Sequence, residues 1–227
     1  MPWTANTYMA TFNDRNYIQI SDTFLEDFKQ NKIKRLRADQ IGLFYLYGIL
    51  HETYHTYQNY NLFKYANEQN YDEKVLINYY QSMITNFNVR GYTFNQQRIF
   101  YSTDLLEYQA NMFAMNKMIE LLEKGYIDKN RGYEFLNLQC KYYLENPLSK
   151  ENINFTKYVY NLNLEQFKKI EQLKDDDINV SNVKALKKIS REVQSLNFDE
   201  LYKNALKEIE KLKEKIKQNE NINQEIN

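Results

Sequence analysis

The chain has 227 residues, and its 30 Lys and Arg balance its 30 Asp and Glu, so no net charge draws it toward nucleic acid or an anionic membrane. Apolar residues make up 43%, enough to bury the core of one domain with an appendage, and a content of 5 Gly and 2 Pro favours long helices over many tight turns. The one cysteine, Cys140, excludes an internal disulfide and suits a reducing compartment. The start Met1-Pro2-Trp3-Thr4 is not a secretory signal, and the longest apolar run, Leu43 to Leu50, falls far short of a bilayer span. The expectation is a soluble, cytoplasmic protein with no membrane or nucleic-acid partner.

In chain order, residues 7–20 read as a β-hairpin. Tyr17, Ile18 and Ile20 have strand character, and Asn13-Asp14 suits the turn. A short helix is expected from about 22 to 30, where Thr23 and Glu26 have capping-box spacing. Residues 38–60 form the central helix, with apolar or aromatic side chains on nearly every face from Ile41 to Leu50, so burial is predicted. The next helix covers about 72–87, with Asp72 as N-cap. Residues 88–101 read as irregular around Gly91. A helix over about 104–124 stops at Gly125, another spans about 129–145 and ends before Pro147, and 149–174 holds one or two more. Asp175-Asp176-Asp177 reads as a hinge or loop. The last segment carries a helical stripe of Phe198, Leu201, Ala205, Ile209, Leu212 and Ile216, the pattern of an amphipathic helix or coiled-coil arm. From Gln218 the Asn, Gln and Glu content predicts a disordered tail.

Chemistry concentrates in one place. The chain has two histidines, four residues apart, in His51-Glu52-Thr53-Tyr54-His55. On a helix, positions i and i+4 share a face, so both imidazoles can point at one metal ion. Glu52 lies off that line, where a carboxylate can hold and deprotonate a metal-bound water. The bland alternative is a pair of core histidines hydrogen-bonded to tyrosines.

A zinc site needs a third protein ligand and an open position for water. No further histidine exists, so the third ligand comes from Asp, Glu or Cys140, and Glu107 is the best-placed candidate. It shares a helical face with Ala110, Asn111 and Ala114. Two alanines there let a second helix approach, Gly48 supplies matching space one turn before His51, and Asn111 can hydrogen-bond a ligand histidine from behind. The competing reading has Glu107 filling the third position of a capping box begun by Asp104. Gln58 either lines the cleft or is a polar helix position. Cys140 reads as a packed side chain.

The pairing of His51-Glu52-Thr53-Tyr54-His55 with the downstream pattern Glu107-x-x-Ala110-Asn111-x-Phe113-Ala114 resembles the ImmA/IrrE family of metallopeptidases, in the gluzincin-like group. The stretch Asn16 to Ser21 resembles the short strand that precedes the active helix there. The resemblance covers about residues 10–124. It implies a Zn²⁺ ion, the ligands His51, His55 and Glu107, and Glu52 as the catalytic carboxylate. Family members are often linked to mobile elements and cleave repressor proteins, which implies a protein or peptide substrate.

The fold expected is mainly α (α+β): a small N-terminal β-hairpin, a helical zincin-like core over 1–125, a helical extension over 126–197, and an amphipathic helix with a tail over 198–227. The function expected is zinc-dependent peptide hydrolysis, with Glu52 activating a zinc-bound water. Tyr92, Tyr101 and Tyr108 are available to steady the oxyanion. The alternatives are a noncatalytic binding protein on the same scaffold, working through a partner protein at its C-terminal helix, and a helical structural protein with chance histidines.

Overall fold

In the computed structural model, which describes residues 9–11, 18–30, 36–68, 70–87, 91–174 and 180–226, the mainly helical expectation holds. Strands β1 (Met9–Thr11) and β2 (Ile18–Ile20) pair antiparallel, with Met9 opposite Ile20 and Thr11 opposite Ile18. Asn13-Asp14 and Tyr17 lie outside the described residues, as does Asp175-Asp176-Asp177. Helix α1 (Asp22–Lys29) begins one residue before Thr23, and Leu25 N–H donates to Ser21 O, so Thr23 falls inside the first turn rather than capping it. A 3₁₀ turn, Ala38–Gln40, then feeds α2 (Ile41–Asn67). Ile41, buried, gathers Ile20, Leu36, Phe44 and Tyr45 around it and so ties β2 to the start of α2. Most of Ile41 to Leu50 is half-buried rather than fully enclosed; Ile41 and Tyr47 are buried and Gly42 is exposed. The helix also runs seven residues beyond 60, because nothing in Asn61–Asn67 breaks it.

Local signals explain most of the remaining boundaries. Asp72 caps α3 (Glu73–Asn86) by accepting Lys74 N–H at 3.0 Å. Where the composition around Gly91 suggested irregular chain, α4 (Phe94–Thr103) forms instead. Thr93 Oγ1 accepts from Gln96 N–H, and Gln96 Oε1 accepts from Thr93 N–H at 2.8 Å, a reciprocal box that secures the first turn. Asp104 accepts Leu106 N–H to open α5 (Leu105–Glu123). That helix closes at Gly125, whose φ of 76° is left-handed. Tyr126 N–H returns to Leu121 O and Gly125 N–H to Leu122 O, the paired bonds of a Schellman ending. Helix α6 (Lys129–Cys140) runs on into a widened π turn, Lys141–Glu145, before Pro147. Residues 149–174 hold a single helix, α7 (Lys150–Ile170), followed by α8 (Val180–Gln194) and α9 (Phe198–Ile226). Helix α9 passes through the Asn/Gln/Glu segment that composition assigned to a disordered tail, since an established helix adds one hydrogen bond for each residue it fixes.

The chain divides into two compact units that interleave in sequence, so their edges differ from the serial divisions at 125 and 197. The first draws on Met1–Tyr71, Gln109–Leu144 and Ile209–Asn227. Its interior contains Met115, Met118, Ile119, Leu122, Phe135 and Leu136, all fully buried. Helix α6 meets α5 at Gly132, where a Cβ would overlap the buried Leu122 side chain. Gly132→Ala is therefore expected to destabilise the protein by ~1–3 kcal/mol through overpacking, against the ~1 kcal/mol gain that helix propensity alone would bring. A fall in the urea midpoint checks the close packing, and a rise contradicts it.

The second unit draws on Asp72–Tyr108 and Glu145–Glu208. There Phe100 stacks on Phe155, and Thr103 Oγ1 meets Thr156 Oγ1 at 2.8 Å. Tyr202 donates to Thr103 O at 2.6 Å and accepts from Gln81 Nε2 at 2.8 Å. Burial, with Asp104 nearby, pushes the Tyr202 phenol well above its usual range, so it stays a neutral donor. Along α9 the apolar stripe (Phe198, Ala205, Ile209, Leu212 and Ile216) is buried, with Tyr202 in place of the half-buried Leu201. The stripe is thus covered by the chain itself rather than presented as a coiled-coil seam, which the same periodicity also encodes. Among the described residues, no helix is long and apolar enough to cross a membrane.

Candidate metal centre

The i, i+4 spacing on α2 brings the two imidazoles together edge-on, with ring centroids 4.7 Å apart. Their Nε2 atoms are 3.0 Å apart. Among the described residues, the His, Cys, Asp and Glu groups able to share an ion are His51, Glu52 and His55, with ligand atoms all within 4.8 Å of one another. The two histidines are half-buried and Glu52 is buried. This His–Glu–His group can hold a metal ion.

What stands behind the imidazoles decides their chemistry. His51 Nδ1 lies 3.0 Å from Asn111 Oδ1, and Tyr47 O–H donates to the same oxygen at 2.5 Å. His55 Nδ1 lies 2.7 Å from Gln58 Oε1, and Gln58 Nε2 donates to Gln109 Oε1 at 3.1 Å. Asn111, Gln58 and Gln109 are all buried. An amide oxygen only accepts, so each Nδ1 must carry the proton. Each Nε2 then offers a lone pair, and the two Nε2 atoms face each other at 3.0 Å. Such a pair repels unless a cation or a shared proton sits between.

The spacing fits a metal ion. Two imidazoles bound at ~2.0–2.1 Å in tetrahedral geometry place their nitrogens about 3.3 Å apart, so only a few tenths of an ångström of adjustment is needed. Tyr47 stiffens this wall further. Its ring meets Phe135 edge-on at 6.2 Å and Tyr143 at 5.7 Å, and lies over His51 at 6.4 Å. Tyr54 packs on Phe113 of α5 at 5.0 Å.

Of the residues singled out in the sequence, His51, Glu52, His55 and Asn111 come together. Glu107 is half-buried in the first turn of α5, one turn before Asn111, and is not a member of the three-residue group. Asp104 serves as the cap of α5 and also accepts from Ser82 Oγ. Gln58 proves to be a buried support for His55 rather than a plain polar position. Cys140 is a buried free thiol.

Tyr92, Tyr101 and Tyr108 belong to the second unit. Tyr108 donates a hydrogen bond to Glu208, and burial together with that carboxylate pushes its phenol far above the usual range. Tyr92 packs edge-on against Phe100, and Tyr101 is exposed.

Tyr47 and Gln109 escaped the sequence reading. The available signal was the wrong kind: a Tyr one turn before His51 and a Gln two residues before Asn111 acquire meaning only once α2 and α5 are paired. Compared with known proteins, the chain matches no family model, no curated protein and no solved structure.

Proposed function

We propose that this chain is a zinc-dependent metallopeptidase acting on a protein or peptide substrate, a diverged relative of the ImmA/IrrE-like enzymes that its two motifs resemble. One observation carries the reading. Both imidazoles set Nδ1 against a buried amide oxygen and bring their Nε2 atoms to 3.0 Å from each other beside a buried carboxylate. Imidazole and carboxylate donors suit zinc. When bound, zinc supplies a Lewis acid and lowers the pKa of water from ~15.7 toward ~7.

His51 and His55 are the proposed ligands. Glu107, one helical turn before Asn111, is the proposed third. Asn111 holds the His51 ring through Nδ1. Glu52 acts as the base: its carboxylate takes a proton from the attacking water and returns it to the leaving amine as the peptide bond breaks. The buried lone cysteine suits a reducing compartment, and the cytoplasm is the proposed location.

A noncatalytic reading has one observation in its favour. The Glu52 carboxylate lies in the same 4.8 Å group as both nitrogens, so Glu52 itself can be the third ligand, making the ion a fixture of an interaction protein.

The test of the enzyme is incubation of the full chain with a mixed-sequence peptide library, with products read by mass spectrometry. Cleavage that disappears on chelation and returns with added zinc is the expected result. Cleavage indifferent to the chelator would contradict the metal's role.

A further inference from the structure

The two ligand histidines are steadied differently. His51 is held by Asn111 from across the helix pair, whereas the acceptor for His55 comes from its own helix, three residues on. A glutamine in that position can present either end of its amide. With oxygen toward His55, the imidazole keeps its proton on Nδ1 and frees Nε2. With the NH₂ group toward His55, Nδ1 becomes the acceptor, the proton moves to Nε2, and the ring cannot bind a metal through Nε2.

Gln109 on α5 decides between the two. Its Oε1 accepts from Gln58 Nε2 at 3.1 Å. While Gln109 presents its oxygen, turning the Gln58 amide over would set two carbonyl oxygens against each other in a buried place, with Gln58 only 3% and Gln109 only 5% exposed. An opposed pair of buried acceptors leaves both groups without the hydrogen bond that burial demands.

Resting on the metal-centre reading above, we propose that Gln58 and Gln109 form a two-amide relay that locks His55 as its Nδ1–H tautomer, which makes both of them positioning residues for the metal. Gln109 acts on the ion through two intervening side chains. Because the relay is built from neutral amides, it orients the imidazole without adding negative charge behind it, unlike the carboxylate partners that often back a metal-bound histidine.

The test compares native protein with Gln109→Met, Gln58→Met and Gln109→Glu. Methionine fills the space of glutamine with an adaptable apolar chain, and glutamate keeps an oxygen acceptor facing Gln58. Zinc affinity is measured by competition with a chromophoric chelator. The ring protons are followed in ¹⁵N-histidine-labelled, zinc-loaded protein, where two histidines give two assignable rings. Both Met variants are expected to weaken zinc binding by ~10–100-fold and to broaden or remove the His55 Nδ1–H signal while leaving that of His51. Gln109→Glu is expected to retain both affinity and signal. Should Gln109→Met fail to fold, Gln58→Met decides alone.

Native zinc affinity and an intact His55 signal in the folded Met variants would overturn the relay and leave the metal centre standing. Failure of the native chain itself to take up zinc would overturn the metal-centre reading, and the relay with it.

Discussion

Glu52→Gln is expected to retain zinc at the native level and to lower peptide hydrolysis by ~10²–10⁴-fold, the usual contribution of a positioned proton acceptor. The change keeps size and shape at a buried position and removes the one property a base requires. His51 and His55 keep their own partners, Asn111 and Gln58, which the substitution does not touch. Metal content and cleavage rate, measured on the same preparation, separate the two roles open to this carboxylate. Retained zinc with lost hydrolysis makes Glu52 the base. Zinc lost together with hydrolysis makes Glu52 a ligand rather than the base.

A second large effect is expected behind the metal. In Asn111→Leu, zinc affinity should fall by ~10–100-fold. The Asn111 Oδ1 atom accepts from both Tyr47 O–H and His51 Nδ1, so its loss strands two donors in a buried wall, at ~1–3 kcal/mol for each one left unsatisfied. Tyr47→Phe removes one of those donors and leaves the oxygen wholly to His51, so its effect on zinc should be much the smaller. Chelator competition on the two variants checks the order. Equal losses would mean that the phenol matters as much as the amide to the placing of His51.

The parts of this protein that were legible in its sequence are those governed by local geometry. The histidine pair is readable because four residues on a helix make one turn, whatever the rest of the chain does. Asp72 and Gly125 mark helix ends for the same reason, each acting within one turn of itself. Helix α4 falls where Gly91 suggested irregular chain, although Thr93 and Gln96 held a capping box in plain view.

Other features rest on long-range pairing and leave no periodic trace. The interleaving of the two units depends on which distant segments meet. The same holds for the support of the metal centre: Tyr47 and Asn111 are 64 positions apart, and Gln58 and Gln109 are 51 apart. The stripe on α9 suited an amphipathic helix or a coiled-coil arm, because a helical stripe does not say whether its cover comes from the same chain or another.

The most direct measurement is zinc content by elemental analysis, after zinc loading and gel filtration, of the native chain beside His55→Ala. About one zinc per native chain, lost in the variant while it remains folded, is the predicted result. A native chain that emerges without zinc, or a His55→Ala chain that holds as much as the native, would contradict a metal centre at His51 and His55.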